Sequence, residues 1–600
     1  MASEFDFIIV GGGCAGLVLA ARLTEDANVR VLVLEAGEDL TADPRVNVPA
    51  MWPQLQGTDT DWQFKTVPQR ALGNRELLVP MGRLLGGSGA LNGMNFVISA
   101  KEDLDGWAAL GNEGWDWESF EKHLKKTYTL TAGSKTDNDG VLHVNIPDEE
   151  DKWPSVWRET FAALGFPTDN DPFSGEILGA VMYPDAIHPT TRTRSFAGNG
   201  YLGPARERPN LTIKTGVSVD KVVFDRTSDI PVATGVQYTG KEGKTETVSA
   251  NKEVILSAGA FHSPKILESS GIGGAELLRS LGIDVVVDNP HVGENLQNHP
   301  MCVMVFETVD DGQDGFDTID PIARQDPAAL GAAMETYTTK QRGWFSKSNS
   351  NAMAHIPFPD IDTAGGKQEV EQLVRTWCSS GAGDPGCKAT PAYTKAHETL
   401  VQNVLSSPKH ASGYYLTFPG WALYGPSGRL VPVPADGSEK YFSIALILTH
   451  PLSRGSVHLT SQGDIAIDPN YLSHPLDTEV LARHVRFLES KLATTEPLAS
   501  RLKPDGKRAP AGYPRGFTAD LEKTKEFLRD NAVGAMHYTS TCSMMPRELG
   551  GVVDSQLRVY GTKNLRVVDA SIMPYTTRAN TMATVYGIAE KAADIIKAAL

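Results

Sequence analysis

Residues 7–16 read Phe7-Ile8-Ile9-Val10-Gly11-Gly12-Gly13-Cys14-Ala15-Gly16, and residues 29–35 read Val29-Arg30-Val31-Leu32-Val33-Leu34-Glu35. Phe7–Val10 is a short apolar run ended by glycines, the pattern of a buried strand. Leu17–Leu23, rich in Ala and Leu, predicts a helix, and Val29–Leu34 predicts a second buried strand. The turn between first strand and helix is G-x-G-x-x-G, and Glu35 follows Gly16 by 19 residues. Each part has a mechanism: Gly11 permits the tight turn, Gly13 lets a pyrophosphate reach the backbone, and Gly16 lets helix and strand pack closely. The helix N terminus, through Cys14 and Ala15, offers unpaired N–H groups to phosphate. Glu35 is placed to accept hydrogen bonds from a ribose diol. Strand, turn, helix and acid together predict a dinucleotide-binding βαβ unit.

Working outward, 600 residues allow several folding units. Lys and Arg number 56 against 73 Asp and Glu, a net charge of −17. Such a balance argues against nucleic acid and against anionic membrane surfaces as partners. No apolar run is long enough to span a bilayer. The first residues carry no basic region and no cleavage site, so the chain either stays inside the cell or has lost a signal. The one glycosylation sequon is Asn210-Leu211-Thr212.

A second glycine-rich stretch, Gly82 to Asn95, holds Gly86-Gly87-Ser88-Gly89 and predicts close backbone approach to another group. Trp107, Trp115 and Trp117 stand in a polar, helical segment over 105–128. Strands are predicted at 211–215, 217–224, 232–238, 254–260, 442–448, 456–459 and 565–570. Residues 580–599 predict a helix with Met582, Tyr586, Ala589, Ala593 and Ile596 on its buried face and Asn580 and Thr581 as caps. Residues 305–440, rich in Asp, Pro, Gly and Ser, form an excursion from the nucleotide fold.

Other patterns lead away from chemistry. Gly235 to Lys241 mimics a P-loop but has Glu242 where a hydroxyl is needed, and is read as a turn. No G-x-S-x-G appears. The five cysteines, Cys14, Cys302, Cys378, Cys387 and Cys542, show no zinc or dithiol spacing. Cys378 and Cys387 are equally read as a bridge or as free thiols. The 14 histidines form no metal-ligand spacing, so no metal is expected.

The later segments carry a family resemblance. Gly82–Asn95 resembles the first signature of the glucose–methanol–choline (GMC) oxidoreductases, and Gly259–Gly273 fits the second at every restricted position. Val292–Pro300, Ser453–Val457 and above all His537–Pro574 are similar to further family segments, the last to fungal members such as glucose oxidase and aryl-alcohol oxidase. The resemblance implies an α/β fold, α+β overall: a Rossmann-type FAD-binding domain and a substrate-binding domain with an antiparallel sheet. It divides the chain into 1–150, 206–300 and 536–600 for FAD and 151–205 and 301–535 for substrate.

Residue by residue, the resemblance puts Gly11, Gly13, Cys14, Ala15 and Gly16 at the pyrophosphate and Glu35 at the adenosine ribose. Trp62, Ser88, Asn92, Gly93 and Asn95 line the flavin side, and Val219 meets the adenine through its backbone. Asp569 and Ala570 fall near the pyrophosphate and ribityl chain, Thr581 and Met582 near the pyrimidine end. Leu91 stands where covalently flavinylated members carry histidine, which implies non-covalent FAD. Ser99 replaces a small residue of the first signature. Asn580 replaces the histidine of the glucose-oxidase branch, which puts glucose itself in doubt.

The implied activity is oxidation of a CH–OH group in an aryl alcohol, another primary alcohol or a sugar, with oxygen or another electron acceptor as second substrate. His537 is the expected base, with an ordinary imidazole pKa of about 6.5, and Asn580 its partner at the alcohol oxygen. His262 and His299 are read as fold residues and Cys542 as a packing thiol. Phe418, Trp421, Tyr424 and Phe442 suggest an aromatic pocket, which core packing explains equally. The alternative is a non-redox lyase or cyclase on the same FAD-containing fold. Oligomeric state is not legible.

Overall fold

The computed structural model describes residues 4–133, 135–146, 151–312, 315–378 and 388–600. Two seven-stranded sheets organise them. In the first, Phe5–Val10 runs parallel to Val31–Leu34, which runs parallel to Leu211–Lys214. The long strand Thr245–Leu256 does two jobs. Its first half pairs antiparallel with Val232–Thr239, and its last residues run parallel to Phe5–Val10 and to Leu565–Val567. Ser218–Asp225 completes the antiparallel edge. All four residues of Val31–Leu34 are buried, the unbroken apolar run of a strand covered on both faces. Helices Cys14–Leu23 and Thr581–Ala598 pack on each other against this sheet, so the two ends of the chain meet.

The second sheet is antiparallel, in the order Arg508–Ala509, Pro300–Glu307, Tyr441–Leu448, Gly413–Phe418, Ala352–Ile356, Gly179–Met182, with Val533–Gly534 also on Pro300–Glu307. Four of these strands come from the 305–440 stretch or its borders, so the excursion builds sheet as well as the helices Pro327–Lys340, Ala364–Trp377 and Pro391–Ser406.

Some expectations change in detail. The segment 105–128 is two helices, Lys101–Ala109 and Trp117–Lys125, and its three tryptophans are buried. The indole N–H groups of Trp107 and Trp115 donate to backbone carbonyls of Tyr575 and Ser555, which lets polar-looking sequence supply core. Gly235 lies within strand Val232–Thr239 rather than in a turn; only the chain beyond it turns back towards Thr245. Asn210 is buried and its amide donates to the carbonyls of Thr24, Asp26 and Val29, so it is a structural clamp. Cys387 lies outside the described residues, and with it the pairing with Cys378. Among the described residues no helix is long and apolar enough to cross a membrane.

Candidate functional site

A cavity of about 710 Å³ separates the C-terminal ends of the parallel strands, at Val10, Leu34 and Ser257, from one face of the antiparallel sheet. Open α/β sheets bind ligands at these strand ends. Of the residues singled out from the sequence, Gly11, Gly13, Cys14, Ala15, Glu35, Trp62, Ser88, Asn92, Gly93, Asn95, Val219, His537, Asp569, Ala570, Asn580, Thr581 and Met582 all line it. Gly16 does not. A Cβ there would stand 1.9 Å from the Gly11 carbonyl oxygen, so its place is the helix–strand contact.

The glycine turn leaves a backbone cradle. Gly11 has φ +103°, and a Cβ on it would meet the Ser257 carbonyl at 2.5 Å. A Cβ on Gly13 would find only the Gly87 Cα within 4 Å, at 3.8 Å. Gly86 and Gly87 hold positive φ and lie on this turn, with Gly86 N–H donating to Gly12 O; the close approach expected of the second glycine stretch is to the first. No side chain caps the N terminus of helix Cys14–Leu23, which leaves its orphan N–H groups for an anion. Glu35 is held by Gly12 N–H at 2.8 Å and Gly37 N–H at 2.7 Å, and burial pushes its carboxyl up. Asp569 is also raised by burial and accepts from Ser263 Oγ, Gly259 N–H and Ser571 N–H. The Ser257 hydroxyl is buried and has no hydrogen-bond partner among the described residues.

His537 and Asn580 meet at the far part of the same cavity. The Asn580 Nδ2 lies 3.2 Å from His537 Nε2. The other ring nitrogen of His537, Nδ1, lies 2.8 Å from His299 Nδ1, and the two rings cross at 85°. His537 N–H donates to Asn298 Oδ1 at 2.8 Å, which anchors the turn that carries the ring. Burial pushes the His537 imidazole down to about 4, away from the ordinary value expected from sequence, and holds His299 well below its own. His299 is thus a neighbour of the expected base as well as a fold residue. Its place beside His537 has no sequence signal, because 238 residues separate them. Asn580 is the N-cap of helix Thr581–Ala598 by position, yet its side chain makes no cap bond. Its oxygen accepts from the Tyr414 hydroxyl at 2.9 Å instead.

The wall opposite is the antiparallel sheet, and strand parity decides what it shows. Met301 and Val303, Leu416 and Phe418, and Ser443, Ala445 and Ile447 line the cavity. Their odd-and-even neighbours point away, as side chains on a strand alternate. Phe442 is one of these: it stacks on Trp153 with centroids 4.5 Å apart, outside the cavity. Phe418, Trp421 and Tyr424 do line it. His262 also reaches the wall, its ring 4.2 Å from that of Trp62. The Cys542 thiol is buried, and desolvation raises it well above an ordinary thiol, which suits packing rather than nucleophilic attack. Ser99, the departure in the first signature, pairs its hydroxyl with Thr584 at 2.6 Å.

The models of the GMC oxidoreductase family match residues 5–301 and 451–589. The chain belongs to the GMC oxidoreductase family. It is 34% identical to the Dehydrogenase mpl7 of Monascus purpureus over 99% of this chain and 96% of that one. A solved FAD-dependent oxidoreductase from Chaetomium thermophilum superposes with a TM-score of 0.87 at 28% identity, covering 99% of both chains. A solved fungal aryl-alcohol oxidase superposes at 0.82 with 27% identity, again over 99% of both. As a GMC oxidoreductase the protein is FAD-dependent and acts on CH–OH donors. The glycine cradle, the uncapped helix end and the Glu35 carboxylate fit the dinucleotide half of FAD.

Proposed function

We propose that the chain oxidises a neutral, largely apolar alcohol, aryl alcohols foremost, with His537 as base and Asn580 as the amide that holds the alcohol oxygen. The carrying observation is the pairing of these two side chains at 3.2 Å in a cavity that Met301, Val303, Leu416, Phe418 and Ala445 of the antiparallel sheet also line. His537, kept neutral by burial, takes the hydroxyl proton at Nε2. Asn580 Nδ2 then donates to the oxygen as negative charge grows on it. The side-chain-free N terminus of helix Thr581–Ala598 opens beside them, and such an end stabilises negative charge by about 0.3–2 kcal/mol. Bound FAD supplies the two-electron oxidation, with flavin N5 as acceptor.

The choice of alcohol follows from the opposite wall. Among the described residues no Lys or Arg lines the cavity, and the carboxylates that do are Glu35 and Asp569, at the dinucleotide end. Two polar groups of the sheet wall are already engaged. Ser443 Oγ donates to Gly420 O and accepts from Ala422 N–H, and the Trp421 indole donates to Val431 O. Against the face of Met301, Val303, Leu416, Phe418 and Ala445 a sugar's hydroxyls would lose water without replacement, each at about 1–3 kcal/mol. An aryl group instead gains contact with Phe418, Trp421 and Leu416. Leu91, on the cavity wall, offers no nucleophile to a flavin, which supports non-covalent FAD. On this reading residues 1–150, 206–300 and 536–600 serve the cofactor, and 151–205 and 301–535 the substrate.

The test is anaerobic mixing of the yellow holoprotein with benzyl-type alcohols, aliphatic primary alcohols and glucose. Aryl alcohols are expected to bleach the flavin band at lower concentration than aliphatic alcohols, and glucose not to bleach it. Bleaching by glucose alone would overturn the substrate class. Turnover of an alcohol without bleaching would favour non-redox lyase or cyclase chemistry.

A further inference from the structure

Tyr414 does not line the cavity, yet it grips Asn580, which does. It stands on strand Gly413–Phe418, fully buried, opposite His355 in the register. His355 stacks on its ring with centroids 4.3 Å apart and planes 6° from parallel, and the Tyr183 hydroxyl sits 3.3 Å from His355 Nδ1. The phenol oxygen is thereby fixed in place. It lies 2.9 Å from Asn580 Oδ1 and 2.9 Å from Met353 Sδ.

A phenol has one proton, so these two acceptors compete for it. A carboxamide oxygen is a good acceptor and a thioether sulfur a weak one. Donation to Asn580 Oδ1 fixes which end of the amide faces His537: the Nδ2 end, which can only donate. His537 Nε2 must then accept, so it carries no proton, and the ring proton sits on Nδ1, donated to His299 Nδ1. The opposite polarity is also closed. The phenol donates to Met353 Sδ, accepts from Asn580 Nδ2, and Asn580 Oδ1 accepts a proton held on His537 Nε2. In that state the nitrogen facing the cavity is blocked as a base. The first state makes the phenol a donor to a carboxamide oxygen; the second makes it an acceptor from the amide N–H and a donor only to the weak thioether, and the stronger O–H···O=C bond favours the first.

We propose that Tyr414 is a positioning residue which, through Asn580, holds His537 in the tautomer whose Nε2 is bare. The inference rests on the reading of His537 as base, but the tautomer itself is observable without turnover.

The experiment uses FAD-loaded protein with ring-15N-labelled histidine, the His537 signals being assigned by their loss in His537→Ala. Wild type is expected to show His537 protonated at Nδ1 and bare at Nε2. Tyr414→Phe keeps the stacked ring and should show the two tautomers mixed, while Met353→Leu, which removes only the weak acceptor, should keep the wild-type pattern. With an alcohol that bleaches the wild type, Tyr414→Phe should slow flavin reduction about five- to tenfold, the worth of one neutral hydrogen bond. It should add no further loss in an Asn580→Ala background. A protonated Nε2 in wild type, an unchanged tautomer in Tyr414→Phe, a shifted one in Met353→Leu, or an equal loss in the Asn580→Ala background would each overturn the proposal. If the tautomers behave as expected and no alcohol bleaches the flavin, the positioning role stands and the base reading falls.

Discussion

His537 sits in a buried turn with its ring spanning two partners, and that environment makes its protonation measurable. Burial brings its imidazole to about 4. A base must be unprotonated to act, so activity is present above the folded pKa and lost as pH falls through it. Flavin reduction by a saturating alcohol should therefore hold level from about pH 6 to 8 and drop only on approach to pH 4, where an exposed histidine would lose activity below about 6.5. Stopped-flow rates across that range check it. Asn580→Ala should leave the fold intact and slow reduction by about 10²-fold, the scale of one lost donor at a developing oxyanion. Its cap position contributes nothing through the side chain. The candidate base was legible because it opens the family-like segment His537–Pro574, and its amide because Asn580 stands where the glucose-oxidase branch has histidine. His299, Tyr414 and Met353 were not, since nothing in Val292–Pro300 or Gly413–Phe418 announces which side chain will touch which across a sheet.

The glycine turn shows how a local pattern becomes a binding element. Gly11 needs its positive φ and has no room for a Cβ beside Ser257. Gly11→Ala should therefore lose bound FAD and lower the unfolding midpoint, read as the flavin-to-protein absorbance ratio and by calorimetry; Gly13→Ala, where space is open, should weaken FAD with little effect on the apo fold. The first strand, its helix and the second strand were legible because their apolar runs and glycines have only one reading. The antiparallel wall was legible only in part. Strand 442–448 was visible as a run, but its parity was not. Tyr441–Leu448 is apolar on both faces, so sequence could not say that Ser443 and Ala445 face the cavity while Phe442 stacks on Trp153. The tryptophans over 105–128 misled for the converse reason: their polar neighbours masked three buried rings.

Distant parts of the chain are tied together by charge as well as by sheets. His458, on strand Ser456–Leu459, lies 2.7 Å from Glu268 on helix Gly259–Ser269 and 3.0 Å from Glu294. Burial alone would lower the His458 pKa, but the two carboxylates outweigh it and raise it to about 9. A folded pKa above the unfolded one gives stability that is complete below about pH 6.5 and lost as pH rises through 9, roughly 3 kcal/mol at most. The unfolding temperature should fall between pH 6.5 and 9 by an increment that His458→Gln abolishes; an unchanged slope in that variant would contradict the assignment. The same long-range folding brings residue 11 and residue 580 to one cavity, which is why only the structure supplies the substrate wall. The central claim is that His537 takes the alcohol proton in this cavity. It is tested most directly by anaerobic flavin reduction with an aryl alcohol in wild type and in FAD-loaded His537→Ala. Reduction about 10²- to 10⁴-fold slower in the variant, with the flavin still reducible by dithionite, is the predicted result. Equal rates in the two proteins would contradict it.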